Sequence, residues 1–252
     1  MRHSYRRFLV AVLFVSVLFA SIVLNYYLFQ QGKAYYVQLN ETRLDPLGLG
    51  YFTSPDQQVP GNPDRTTVVF FGDSRAASWP DPLGLEQFEF ANRGIGAQTS
   101  AQVVLRFDDH VAPLRPQIII VQVGINDLKT IPLFPERREA IIARCKENIR
   151  RIVTRSTELG AAVILTTIMP IAKVPLERRL FWSGEVAVAI DEVNAYVRAL
   201  AGENVMVLDA FAILADDVGR TRTEYRDDFL HLNMAGYEAL NGALVEVLRG
   251  GE

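Results

Sequence analysis

The chain has 252 residues, of which 49% are apolar and 22% charged, a composition that suits one globular domain with a short appendage. Its formal net charge of -3 gives no electrostatic footprint for nucleic acid, so no nucleic-acid partner is expected. The single cysteine, Cys145, excludes an intrachain disulfide and a multi-cysteine metal site, so packing must supply the stability.

The N-terminal segment is the most hydrophobic part of the chain. An almost unbroken apolar run extends from Phe8 to Leu24, continues with aromatic and aliphatic residues to Phe29, and is long enough to span a bilayer. Three arginines precede the run, so the positive-inside bias predicts a cytoplasmic N-terminus and an exported remainder. A cleaved signal peptide is the competing interpretation, but the run is long and no convincing cleavage site follows it. We therefore predict a membrane-anchored protein whose main domain is extracytoplasmic, either periplasmic or at the cell surface.

The remainder divides into a linker and a domain. Residues 1–30 are interpreted as a cytoplasmic stub and anchor, and residues 31–65 as a linker, because they contain four prolines and no sustained periodicity. From residue 66 to residue 252, short apolar runs alternate with amphipathic stretches, a pattern typical of alternating strands and helices.

The predicted elements of the 66–252 domain follow in chain order. Strands are predicted at residues 67–71, 88–91, 118–123, 162–167 and 205–208. Longer helices are predicted at residues 135–159, 186–200 and 233–248, the last with Asn233 as its N-cap. This alternation predicts an α/β fold, a three-layer α/β/α sandwich around a mainly five-stranded parallel sheet.

Polar residues directly after the strands are the first candidates for a site, because ligands bind beyond the C-terminal ends of parallel strands. Ser74 follows the first strand, although a serine there could also be a helix N-cap. The turn at residues 92–99 follows the second strand and is rich in small residues, so its main-chain N–H groups could approach a ligand or simply connect two elements. Asn126 follows the third strand and offers an amide donor or, alternatively, a local Asx-turn or helix cap.

A carboxylate and an imidazole occur near the C-terminus, where Asp228 and His231 are three residues apart; a solvated acidic loop is the alternative interpretation. Of the other histidines, His3 precedes the apolar run, and His110 lies late in an amphipathic stretch and is interpreted as a surface or helix-end residue. A serine nucleophile needs an adjacent base that an acid orients. We therefore predict that His231 activates Ser74 and that Asp228 orients the imidazole.

In chain order these segments read GDS, N-x-G-I-G-x-x-T, G-x-N-D and D-x-x-H-L-N, and together they resemble the blocks of the SGNH hydrolases, also called GDSL esterases and lipases. The resemblance covers nearly all of residues 66–248 and implies the flavodoxin-like SGNH fold. It implies that Ser74 is the nucleophile and that Asp228 and His231 complete the catalytic triad. It also implies an oxyanion hole made by the N–H groups of Ser74 and Ala97 and by the side chain of Asn126. No metal or organic cofactor is implied.

Two residues depart from the family pattern. Ala97 stands where the second block usually has glycine; alanine keeps a main-chain donor role if its φ and ψ are allowed, whereas a turn that needs positive φ would shift the donor to Gly96 or impair the hole. Arg75 stands where the family name has leucine. A cation there could favour an anionic substrate or leaving group, or pair with an acid such as Asp81.

The resemblance implies hydrolysis of carboxylic esters, with a small-molecule, lipid or glycan ester as substrate. Two alternatives remain at this stage: an O-acetyltransferase or deacetylase for an envelope polysaccharide, and a non-catalytic binding module. Loops at residues 127–137 and 171–184 are expected to set the shape of the pocket. Trp79 and Trp182 could line that pocket or simply pack.

Overall fold

The structure is a computed structural model that describes residues 2–52, 62 and 64–250. The described residues form two compact units, the first ending at Pro46 and the second beginning at Leu47. Each unit is described by itself below.

The first unit is a single helix, α1 (Arg2–Leu44), of 43 residues. On length and composition it is able to cross a membrane, since about 20 apolar residues suffice to span the hydrocarbon core. The helix continues well into the segment predicted as linker, because residues 33–44 contain neither proline nor glycine and include good helix formers. It ends shortly before Pro46, as expected from the restricted backbone ahead of proline. The linker prolines at positions 55, 60 and 63 lie outside the described residues.

The second unit is built on a five-stranded sheet whose neighbouring strands are all parallel. Its strands are β1 (Thr66–Gly72), β2 (Phe88–Gly94), β3 (Ile118–Gln122), β4 (Ala162–Thr166) and β5 (Val205–Leu208). They lie in the order β2-β1-β3-β4-β5. The predicted parallel sheet is confirmed. The second strand is longer than predicted because residues 92–94 pair with residues 70–72 of β1 although their side chains lack an apolar pattern.

Eight helices accompany the sheet in the described part of this unit. They are α2 (Ser74–Ala77), α3 (Ser100–Leu105), α4 (Phe107–His110), α5 (Ile125–Leu128), α6 (Arg138–Glu158), α7 (Glu185–Arg198), α8 (Ala210–Leu214) and α9 (Met234–Arg249). The three long helices were predicted, and Asn233 caps α9 by accepting from the N–H of Gly236 at 3.1 Å. The shorter helices are too brief to produce a periodic pattern in the sequence.

The helices cover both faces of the sheet. Along β1, Val69 and Phe71 pack in the core that α3, α4, α6 and α7 share, whereas Val68 and Phe70 pack in the core of α8 and α9. All four side chains are fully buried, and each contributes about 1.5–3 kcal/mol by leaving water. Since successive side chains of a strand point to opposite faces, this pattern fixes the three-layer architecture.

The exit of β1 is the tightest point of the sheet. A Cβ at Gly72 would lie 1.8 Å from the carbonyl oxygen of Gln122 at the end of β3, so only glycine fits. β1 lies between β2 and β3, which places its C-terminal end at the point where the strand order reverses and where such sheets bind ligands. Ser74 follows two residues after Gly72.

Candidate active site

Ser74 is the first residue of α2, and its hydroxyl does not cap the helix. The N-cap of α2 is Asp73, whose Oδ1 accepts from the N–H of Arg75 at 2.9 Å. Ser74 Oγ instead lies 3.1 Å from Nε2 of His231. The alternative interpretation of Ser74 as a helix cap is therefore wrong. The serine is partly exposed, so an ester is able to reach it.

Asp228 holds the other side of the His231 ring. Its Oδ2 lies 2.9 Å from Nδ1 of His231, and its Oδ1 accepts from the N–H groups of Leu230 and His231 at 2.6 and 2.7 Å. Burial alone would raise the pKa of Asp228, but these hydrogen bonds outweigh it and lower the pKa below its ordinary value. An ionised Asp228 favours the tautomer with its proton on Nδ1, which leaves Nε2 to accept from Ser74.

The turn after β2 places Ala97 at φ 62°, in the left-handed region, while Gly96 is outside it. This turn therefore does require positive φ, and the chain holds an alanine there. Within the described residues the N–H groups of Ser74, Gly96 and Ala97 have no hydrogen-bond partner, so positive φ at Ala97 leaves both candidate donors of the turn available.

Asn126 is buried at the start of α5, directly after β3. Its Nδ2 donates to the carbonyl oxygen of Gln98 at 3.0 Å, which orients the amide and leaves its second N–H for a ligand. The three residues predicted for the oxyanion hole thus follow β1, β2 and β3 in turn, each with an N–H to offer. Their role in catalysis stays a prediction.

Arg75 points into the protein and does not face a substrate. Its guanidinium, which is 1% exposed, donates to three main-chain carbonyls: Leu230 at 2.8 Å, Met169 at 2.9 Å and Pro170 at 3.1 Å. Both sequence-based expectations for Arg75 are therefore wrong, since it neither faces the pocket nor pairs with Asp81. It ties the turn that carries Ser74 to the segment after β4 and to the loop that carries His231.

The carboxylate beside Ser74, that of Asp73, is itself unusual. Asp73 is fully buried, and its Oδ2 has no hydrogen-bond partner among the described residues, as is also true of the side-chain amide of Gln122. Burial raises the pKa of Asp73 to about 6, although the Arg75 N–H and charge act in the opposite direction. No sequence signal distinguishes this aspartate from an ordinary helix cap.

His110 takes no part in this arrangement. It ends α4, as expected, but it is buried rather than on the surface. Its Nδ1 lies 3.2 Å from Arg106 and its Nε2 lies 3.4 Å from the carbonyl oxygen of Leu49. Because both ring nitrogens are engaged elsewhere, His231 is the histidine placed to act on Ser74.

An open pocket of about 370 Å³ lies beside His231. Both predicted loops line it, the first through Lys129, Thr130 and Leu133 and the second through Arg178, Phe181 and Trp182, and the Asp228–His231 loop completes the wall. Trp182 packs edge-on against Phe229 at 5.3 Å between ring centroids. Trp79, in contrast, is buried and donates to Asn241 at 2.7 Å, so it belongs to the core.

Sequence reasoning missed the two cations of this pocket, Lys129 and Arg178, because neither belongs to a motif block. Among the described residues no group of three or more histidine, cysteine or acidic side chains is arranged to hold a metal ion.

A parallel α/β sandwich with a serine after β1 and an Asp-x-x-His loop near its end has the form of an acylhydrolase of the SGNH type. Residues 59–239 match the GDSL-like Lipase/Acylhydrolase family, and the chain belongs to that family. The resemblance found in the sequence is therefore confirmed.

Individual relatives agree with this assignment. A GDSL-like lipase from Bacteroides thetaiotaomicron superposes with a TM-score of 0.65 at 18% identity, over 82% of this chain and 99% of that one. A lipase/acylhydrolase from Enterococcus faecalis gives a TM-score of 0.52 at 23% identity, over 74% and 96% of the two chains. An uncharacterized lipoprotein of Bacillus subtilis, YqeF, is 26% identical over 147 residues, which are 52% of this chain and 60% of that relative. The two structural likenesses show a shared fold.

Proposed function

We propose that this protein is a serine hydrolase that cleaves carboxylic esters of the acyl or acetyl type. The observation that carries the proposal is the hydrogen-bonded series from Ser74 Oγ to His231 Nε2, at 3.1 Å, and from His231 Nδ1 to Asp228 Oδ2, at 2.9 Å. A serine hydroxyl becomes a nucleophile when such a base accepts its proton.

In the proposed first step, Ser74 Oγ attacks the ester carbonyl carbon while His231 Nε2 takes its proton. The imidazolium then donates that proton to the leaving alcohol oxygen, and the acyl group stays on Ser74. In the second step a water oxygen attacks the acyl carbon while His231 Nε2 takes one of its protons. His231 then returns that proton to Ser74 Oγ as the bond between Oγ and the acyl carbon breaks, which releases the carboxylic acid and restores the free serine. Asp228 stabilises the imidazolium in both steps.

The negative charge that develops on the carbonyl oxygen is assigned to the N–H groups of Ser74, Ala97 and Asn126. Each donor of this kind lowers the barrier by about 3 kcal/mol, roughly a hundredfold in rate. The unpartnered main-chain N–H groups of Ser74 and Ala97 support this assignment. So does the bond to Gln98, because it fixes the Asn126 amide before substrate arrives.

We further propose that the reaction takes place at the extracytoplasmic face of a membrane. The length and apolar composition of α1 support an anchor, and the arginines before its apolar run support a cytoplasmic N-terminus. The word lipoprotein in the name of the Bacillus subtilis relative is consistent with a membrane-associated family member.

Deacetylation of an envelope polysaccharide is the same reaction on a glycan ester, and an O-acetyltransferase would use the same acyl-serine. A non-catalytic module is disfavoured, because such a module has no need of a serine, an imidazole and a carboxylate held within hydrogen-bond distance.

The test uses the full chain in a neutral detergent. We expect hydrolysis of 4-nitrophenyl acetate and labelling by a fluorophosphonate probe, both lost in Ser74→Ala. Ser183→Ala serves as the matched control, since its hydroxyl makes no hydrogen bond to the described residues, and it should keep both. Equal activity in the wild type and in Ser74→Ala would refute the proposal. Acetate released from an acetylated polysaccharide, and acetyl groups transferred to a deacetylated one, separate the glycan alternatives.

A further inference from the structure

Two cations face the pocket beside His231. Lys129 directly follows α5, the short helix after β3. Arg178 lies in a short 3-10 segment (Leu176–Phe181) after β4. They come from separate segments and line one cavity. Burial is the largest cause that lowers the pKa of Lys129, and the nearby like charges of Arg75 and Arg178 lower it further.

Neither cation has a bonded acidic partner among the described residues. Within the described residues, no side-chain hydrogen bond or ion pair is made by Lys129 Nζ or by the Arg178 guanidinium. The carboxylate that shares the pocket lining, Asp228, is already held by the His231 ring and by two N–H groups.

The position of Lys129 is costly without an anion. It is only partly exposed, and burial is the largest cause that lowers its pKa, although the charge of Asp73 acts in the opposite direction. A partly buried ammonium without a hydrogen-bonded acid gains most when a ligand supplies the missing negative charge. Arg75 is unavailable for this role, because its guanidinium is buried and donates to three main-chain carbonyls.

We propose that Lys129 and Arg178 form an anion-binding subsite of the ester pocket, so that the preferred substrate carries a negatively charged group, a carboxylate or a phosphate, close to the scissile ester. This inference rests on the proposed esterase function and specifies its substrate class. The wall also includes the apolar side chains of Leu133, Phe181 and Trp182, so the same substrate is expected to have an apolar part.

The experiment compares two matched pairs of esters with the full chain in neutral detergent. The first pair, 4-nitrophenyl hemisuccinate and 4-nitrophenyl butyrate, differs by an anionic group on the acyl side. The second pair, 4-acetoxybenzoate and its methyl ester, differs by an anionic group on the leaving alcohol. Each rate constant kcat/KM is divided by the rate of hydroxide-catalysed hydrolysis of the same ester, which removes differences in intrinsic reactivity.

We expect the anionic member of at least one pair to be preferred about tenfold or more, and the pair that shows it identifies the side on which the charge binds. Lys129→Met and Arg178→Gln should each reduce the preference severalfold, and Lys129→Arg should retain it. Lys173→Met is the matched control, since Lys173 is an exposed cation of the same post-β4 segment outside the pocket lining. It should leave both ratios unchanged.

A binding measurement separates failure of the subsite from failure of the esterase. Calorimetry with Ser74→Ala needs no turnover, and the anionic member of at least one pair should bind it about tenfold more tightly than its neutral partner, a difference lost in Ser74→Ala/Lys129→Met. Absence of any anionic preference in both rates and binding overturns the subsite, even if the esterase is active. An inactive wild type that still binds the anionic ester preferentially overturns the proposed function and supports the subsite.

Discussion

Substitution of Arg75 tests whether one buried cation holds the loop of Asp228 and His231 in place. Its three hydrogen bonds reach the carbonyls of Leu230, Met169 and Pro170. Leu230 directly precedes His231, so Arg75 connects the chain beside Ser74 to the chain beside its predicted base. We therefore predict that Arg75 is a positioning residue and that its loss displaces the imidazole.

The expected magnitude follows from the carbonyls that lose their partner. Pro170 also accepts from Thr221 at 3.0 Å, so its carbonyl stays paired, whereas Arg75 is the partner found for Leu230 and Met169 within the described residues. Each buried unpaired carbonyl costs about 1–3 kcal/mol. Arg75→Lys keeps the charge and reaches one carbonyl, so we expect a loss of about 2–3 kcal/mol in the free energy of unfolding. Arg75→Met should lose about 3–5 kcal/mol.

The assay combines urea unfolding with ester kinetics on the folded fraction of Arg75→Lys. We expect kcat to fall about tenfold or more with KM little changed, because small displacements of a catalytic group are costly. Arg179→Lys is the control, since Arg179 is exposed and donates to the single carbonyl of Val174 at 3.3 Å. If Arg75→Lys keeps kcat and loses less than about 0.5 kcal/mol, the positioning role is refuted.

Three further predictions concern Ala97, Asn126 and Asp73, which lie near Ser74 at the ends of the strands. Ala97→Gly should keep kcat within about threefold of wild type, whereas Ala97→Val should lower kcat tenfold or more, because a β-branched residue is strained at φ 62° and shifts the N–H. Equal ester kinetics for the two variants would contradict this. Asn126→Ala should lower kcat about a hundredfold with a small change in KM, and an unchanged kcat would remove Asn126 from the oxyanion hole. Burial raises the pKa of Asp73 from 3.8 to about 6, so its contribution to stability is complete below pH 3.8 and is lost as the pH rises through about 6. As the pH rises from 4 to 7.5, the free energy of unfolding of the wild type should therefore fall by up to about 3 kcal/mol relative to that of Asp73→Asn. Urea unfolding at the two pH values measures this change, and an equal difference between the two proteins at both would contradict the prediction.

Most of the sheet could be predicted because its strands are buried runs with a pattern that survives in the sequence. All residues of β3 after Ile118 are buried, and the apolar run there predicts the strand at residues 118–123. Residues 92–94 were missed because their pairing depends on backbone contacts with β1 rather than on apolar side chains. The extension of α1 to Leu44 was not predicted because residues 31–65 were treated as one linker, although all four of its prolines lie after Leu44.

The candidate site was predictable to the extent that it depends on chain order. Ser74, Asn126 and the Asp228–His231 pair all lie in short motifs at strand ends or loops, and parallel strands bring such ends together. The direction of the Arg75 side chain was not predictable, because the sequence does not show which carbonyls are left without partners inside the fold. The same holds for Lys129 and Arg178, because the sequence does not show that their side chains share one pocket and form no ion pair within the described residues.

The two departures from the family pattern therefore have different consequences. At position 97 the group of interest is the main-chain N–H, which alanine has as glycine does. An alanine in the left-handed region therefore retains the donor at a backbone cost of about 1–2 kcal/mol. Arg75 changes a side chain, and the structure directs its charge to carbonyls and away from the pocket. The proposed preference for an anionic ester is therefore assigned to Lys129 and Arg178. We predict that substrate selectivity and the placement of His231 depend on separate cations and are open to separate mutation.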